Sequence, residues 1–224
     1  MRRLISWILL VEFLFIACAI QLVQAQDPHK SARKLQRRKG VPITSLFRPS
    51  ETRLIVLLNR SPSFLVEPPP GMSQAAWLTQ IADVVMRARV ESMEATLTPA
   101  QDWINTSVRV KVLKVLKSTG GRSFAVGQEI SFLEEGGSLD LGGRQIDAIV
   151  EWADRFEVGK EYLIFASLNS ANDLMVGAGT TFEIVSGETL RSLLKPMGQV
   201  DSISGSSVND VVKDIQRYTE NVKK

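Results

Sequence analysis

The chain is poor in the residues that most often carry soft-ligand chemistry. In 224 residues it has one cysteine, Cys18, and one histidine, His29. A disulfide within one chain is therefore impossible, and a Cys/His zinc site cannot be assembled. Serine or cysteine nucleophiles paired with histidine are also excluded, because His29 lies in a polar, basic stretch far from any candidate partner. No motif for a cofactor is present, and none is expected. Past residue 25 no apolar run approaches the roughly 20 residues needed to cross a bilayer.

What is present begins with a leader. Arg2 and Arg3 form a charged front, Ile5 to Ile20 is largely apolar, and Val23-Gln24-Ala25 offers small or aliphatic residues for cleavage. Residues 1–25 are expected to be a signal peptide, placing the mature chain outside the cytoplasm or in the periplasm. A retained anchor is the alternative, but Glu12 in mid-run would cost about 2–3 kcal/mol in a stable span. A lipid-attachment signal at Cys18 is the other alternative, and Phe15 is bulky where that pattern usually has Leu.

Charge is unevenly placed. Residues 26–60 hold nine basic and two acidic side chains, whereas 61–224 hold sixteen basic and twenty-one acidic. The segment 26–70 is read as a basic, proline-containing arm and linker, in which residues 26–50 are a solvated spacer or an arm touching anionic lipid or cell-wall polymer. Within it, Arg53-Leu-Ile-Val-Leu-Leu58 is a short apolar run of strand type.

Two alternating runs dominate the body. Asp83 to Glu94 sets Val84, Met86, Ala88 and Val90 against Arg87, Arg89 and Glu91. Ile104 to Leu116 sets Ile104, Thr106, Val108, Val110 and Val112 against Ser107, Arg109 and Lys111. A period of two over this length predicts strands with one buried and one wet face. The loop Leu97 to Trp103, broken by Pro99, makes them an antiparallel ribbon. Further strands are expected at Gln128–Leu133, Gln145–Val150 and Tyr162–Leu168, and a hairpin from Leu174–Val176 and Thr181–Val185. Ser73 caps a short helix reaching Ile81, with Ala76, Trp77 and Ile81 as its apolar side. From Ser207 the period becomes helical, with Val208, Val211, Val212, Ile215 and Tyr218 in one stripe. That stripe docks on the body or on a partner.

These elements predict a mainly β fold. The expected form is a small antiparallel OB-like barrel over residues 71–190, with a short N-terminal flanking helix and, within 191–224, a C-terminal amphipathic helix. A sandwich is the alternative. A barrel closes its edges, which suits an exported chain without disulfides.

Four stretches resemble a family of uncharacterised bacterial secreted proteins whose OB-like barrel is similar to the tissue inhibitor of metalloproteinases and the netrin module. They are Ala82-Asp-Val-Val85, Val110-Lys-Val-Leu-Lys-Val-Leu-Lys117, Gly136-Gly137 and Arg155-Phe-Glu-Val-Gly-Lys-Glu-Tyr-Leu-Ile-Phe165. The resemblance implies a barrel and names no reaction. Metalloproteinase inhibitors of this kind bind zinc through an amino-terminal cysteine, which a chain beginning at Gln26 lacks, so that chemistry is not implied.

Candidate sites are few. Ser192-Leu-Leu-Lys195 has the Ser-x-x-Lys spacing of penicillin-binding enzymes, but Ser31-Ala-Arg-Lys34 has it too. Carboxylates pair at Glu134-Glu135 and cluster at Asp147, Glu151 and Asp154, either as acid catalysts or as a solvated rim. Trp77, Trp103 and Trp152 are core or rim anchors, or stacking residues. Arg87, Arg89, Arg109 and Lys111 share the wet face of the ribbon, a solvated strip or a polyanion site. No aromatic side chain interleaves them, as a single-strand binder would need. Two function classes remain: an exported, non-catalytic binding or assembly module for an envelope protein or anionic polymer, and an envelope-polymer hydrolase using carboxylates.

Overall fold

The computed structural model describes residues 32–58, 68–119, 121–195 and 203–222. The expected signal peptide, Cys18 and His29 lie outside the described residues. The elements in chain order are β1 (Arg33–Gln36), β2 (Arg53–Leu58), α1 (Gln74–Ile81), β3 (Val84–Leu97) and β4 (Ile104–Ser118). Then follow β5 (Glu129–Glu135), β6 (Gly137–Asp140), β7 (Gln145–Val150), β8 (Glu161–Leu168), β9 (Leu174–Met175), β10 (Thr181–Val185), β11 (Thr189–Ser192) and α2 (Val208–Val222). The fold is mainly β, with two α-helices among the described residues.

A large antiparallel sheet runs in the order β11-β10-β8-β3-β4-β5, with β9 paired to the end of β8. The β3–β4 ribbon forms its spine in the expected register, Val90 opposite Val110 and Leu97 opposite Ile104. Three register shifts along β3 coil the ribbon. Its concave face buries Met86, Ala88, Val90, Val108, Val110 and Val112 with Ile130, Phe132, Tyr162 and Ile164. Phe156 packs edge-on against both Phe132 and Tyr162, with ring centroids 5.2 and 4.7 Å away. The sheet does not close into a barrel: β5 and β11 are its two ends.

The convex face departs from the expected wet surface. Val85, Leu163, Phe165, Phe182 and Leu190 point outward into a second core, roofed by both helices. From α2 come Val208, Val211 and Ile215, so the helical stripe is docked on its own chain. The Ala76 amide donates to Ser73 Oγ at 3.1 Å, capping α1 as the sequence predicts. Ser73 Oγ in turn donates to Asp214 Oδ2 at 2.6 Å, which ties the two helices together. The buried side of α1 is Ala75, Leu78 and Thr79, one position away from the expected stripe, and Ile81 is exposed. A helix this short leaves its face to be chosen by what it packs on, here Phe165 and α2.

A second sheet, β1-β2-β7-β6, corrects two expectations. Its β1–β2 and β2–β7 pairings are parallel, where an all-antiparallel fold was expected. It also folds residues 33–58 onto the body, so that part of the basic arm is no solvated spacer. Arg33 pairs with Glu51, Arg37 with Asp102 and Arg53 with Asp147, so acids answer three of the cations in this stretch. Leu54, Val56, Ile146 and Ala148 meet Trp103 and Ile104 in a third core at the far end of the ribbon.

Gly136 and Gly137 let the chain pass from β5 into β6 and so join the two sheets. A Cβ on Gly136 (φ +95°) would lie 2.7 Å from the Ala148 carbonyl oxygen, and one on Gly137 would lie 2.6 Å from Thr106 Oγ1. Only glycine fits there. The expected hairpin of 174–176 with 181–185 does not form. β9 pairs with residues 167–168 of β8, whereas β10 pairs with residues 161–164 and with β11.

Candidate functional site

Arg87, Arg89, Arg109 and Lys111 do share the outer face of the ribbon, with Arg89 directly opposite Lys111. Two of the four are already engaged. Arg87 donates through Nη1 and Nη2 to both carboxylate oxygens of Glu188 at 2.9 Å. Its Nε donates to Glu161 at 2.7 Å, and Arg89 Nη2 donates to the other Glu161 oxygen at 2.8 Å. Burial alone would raise the Glu161 carboxyl, but these two guanidinium groups hold it below its ordinary range. Lys111 lies opposite Glu129 of β5. The strip is thus a mixed-charge surface in which acids answer Arg87 and Arg89.

The remaining sequence candidates separate in space. Lys195 Nζ lies 3.7 Å from Asp154, and Ser192 Oγ accepts from the Leu194 amide, so the Ser-x-x-Lys pair sits on a strand end with its amine turned to a carboxylate. Asp147 accepts from Arg53 and Ser138 inside the small sheet. Trp103 is fully buried with the Arg37 guanidinium 4.9 Å from its ring centre, an anchor for the third core. Trp152 packs into the same core. Among the described residues no three His, Cys, Asp or Glu side chains gather where they could hold a metal ion, and no helix is long and apolar enough to cross a membrane.

The site that sequence reading missed lies beside β5, at one end of the large sheet. A groove of about 510 Å³ runs between β5 and the β8–β9 turn. Its walls are consecutive residues of each: Ser131 to Glu135 on one side and Asp173 to Val176 on the other. Phe132, Leu174 and Val176 form an apolar floor continuous with the main core. Leu133 and Met175 stand on the rim, 62% and 58% exposed. Met175 and Val176 also line a neighbouring hollow with Leu78, Ile81 and Phe165, which extends the apolar track toward α1.

Glu134 is the buried charged group of this groove, beside the exposed Glu135 and Asp173. Its side chain points inward opposite Thr106 and is only 15% exposed. One oxygen accepts from the Phe156 amide at 3.4 Å, and the other has no hydrogen-bond partner. Arg155 Nε stands 4.0 Å away and is itself unpartnered, while Arg155 Nη2 donates to Thr106 Oγ1 at 3.0 Å. Burial pushes the Glu134 carboxyl up to about 7, against the pull of Arg155 and of the Phe156 amide. It is a buried acid poised to change charge near neutrality.

The signal that could have found it was the break in alternation at Glu134-Glu135. Ile130 and Phe132 are inward, so Glu134 falls on the core face, where a strand normally places an apolar residue. Compared with known proteins, the chain matches no family model and no curated sequence.

Proposed function

We propose that the protein is an exported, non-catalytic binding or assembly module, built on an OB-like barrel whose unclosed seam between β5 and β9 is the binding cleft. The observation that carries this reading is the groove itself. It joins an apolar floor to two exposed apolar side chains on its rim, in a cleft of the size that small ligands and peptide side chains occupy. The curl of β8-β3-β4-β5 around one core and the near approach of β9 to β5 support the barrel, as does the resemblance at Ala82–Val85, Val110–Lys117 and Arg155–Phe165. Use after export is supported by the leader pattern at residues 1–25.

Site-specific photo-crosslinking in native cells tests it. A photoreactive residue at Leu133 or Met175 is expected to capture discrete adducts. The same residue at Val126 or Val158, which are 70% and 60% exposed, serves as the control. Equal capture at all four positions, or none at the groove, removes the reading.

One observation favours a second reading, a hydrolase of envelope polymers. Glu134 has the raised pKa of a general acid, and Glu135 and Asp173 line the same groove. Two-carboxylate hydrolysis needs its second carboxylate fixed across the scissile bond, whereas both of these side chains are on exposed residues. Release of soluble fragments from purified envelope polymer, lost in Glu134→Gln, would establish this reading instead.

A further inference from the structure

We propose that the open edge of β5 takes an extended peptide strand from a partner protein, one that alternates apolar and basic side chains. The inference rests on the binding-module reading and gives it a partner class.

β5 is seven residues long and pairs with β4 alone among the described strands. In an antiparallel ladder alternate residues turn both their N–H and C=O groups away from the partner. About half of β5 therefore presents hydrogen-bonding groups to the groove. The other three sheet ends are guarded, β6 by being only four residues long. Along β11, Leu190 exchanges hydrogen bonds with residues 205 and 206, and β1 carries Arg33 and Lys34. β5 carries no lysine or proline, and against it, among the described residues, stand only the two-residue β9 and its own inward Glu134.

Charge selects the occupant. The groove wall supplies Glu135 and Asp173 on exposed residues, with Glu134 buried behind them beside Arg155. A lysine or arginine at the outward-facing positions of an incoming strand would meet Glu135 and Asp173, while apolar side chains at its inward-facing positions cover Phe132 and Leu174. A second copy of β5 fits poorly. Antiparallel self-pairing about Phe132 sets Glu129 against Glu135 at both ends, and like charges directly opposed are destabilising. β9 is only two residues long and held by two register pairs, so it is the element that yields to admit the strand. This is recognition by strand addition, with affinity from main-chain pairing and specificity from alternate side chains.

A random heptapeptide display library selected against the full chain tests this. Enriched peptides should alternate apolar residues with Lys or Arg, and should slow amide exchange within residues 130–135 by about tenfold or more. Glu135→Gln with Asp173→Asn should weaken them about threefold, an effect that added salt removes, as for exposed ion pairs. Methylating alternate backbone nitrogens of a selected peptide should abolish binding. Unchanged binding after methylation, or protection confined to other surfaces, overturns strand addition while leaving the module reading standing. Failure to enrich any peptide, with crosslinks still formed at Leu133, would likewise overturn this inference alone.

Discussion

Replacing Glu134 by Gln isolates the energetics of the groove. The variant keeps an oxygen for the Phe156 amide and removes only the capacity to ionise. An ordinary glutamate titrates near 4.5, whereas burial raises Glu134 to about 7. The folded chain therefore holds this proton more tightly than the unfolded chain. Its contribution to stability is complete below about pH 4.5, declines above that, and is lost once the pH passes 7. At 1.36 kcal/mol per decade of proton affinity, the full span is roughly 3 kcal/mol. For a chain of this size that corresponds to roughly 6–12 °C in Tm. Arg155 is 38% exposed, so water takes over its solvation when the carboxylate is removed. Urea melts of both proteins from pH 4 to 8.5 give the difference in unfolding free energy, in which every other titration cancels. The variant should gain about 3 kcal/mol relative to the wild type across that range, most steeply between pH 5 and 7. A difference that stays flat would mean that Glu134 is solvated and that the groove is not the low-dielectric cleft described above.

Four further outcomes are expected. Gly137→Ala should destabilise the fold by about 3 kcal/mol, because its Cβ meets Thr106, Ile104 and Ala95 within 3.1 Å, and thermal melts will read the loss. Ile215→Ala should cost about 3 kcal/mol if α2 is integral to the second core, and an unchanged melt would detach the helix from it. Arg109→Ala with Lys111→Ala should shift elution from heparin no more than from a plain cation exchanger, since the strip's other cations are ion-paired; a larger loss on heparin would restore the polyanion site. The mass of the exported protein should match a chain that begins at Gln26, and a retained Cys18 or an acylated species would contradict the leader reading.

The ribbon was legible because both its strands alternate over many residues, and burial of one face enforces that alternation. Gln145–Val150 and the capped helix at Ser73 were legible through equally local signals. What escaped depended on partners remote in sequence. β8 is buried from Tyr162 to Ala166 on both faces, so its apolar run carries no period that could announce the helices on its outer side. The pairing of β2 with β7 is parallel, and nothing within Arg53–Leu58 names its partner. Arg87 and Arg89 looked like free cations because Glu161 and Glu188 reach them only through folding. Glu134 was visible as one carboxylate of a pair, but its burial follows from the strand's facing, which the turn glycines Gly136 and Gly137 help to fix.

The small sheet also sets a timetable for the growing chain. The Arg53–Asp147 pair closes across 94 positions, and β2 has no strand of its own to pair with except β1 until β7 has been made. At about 5–20 residues per second, Leu54, Ile55 and Val56 wait roughly 5–20 s for that partner. Throughout that interval an apolar strand with an unmatched edge is present on an unfinished chain. A factor that shields it would act on residues 53–58 rather than on the longer ribbon, which can zip from its own connecting loop as soon as it emerges.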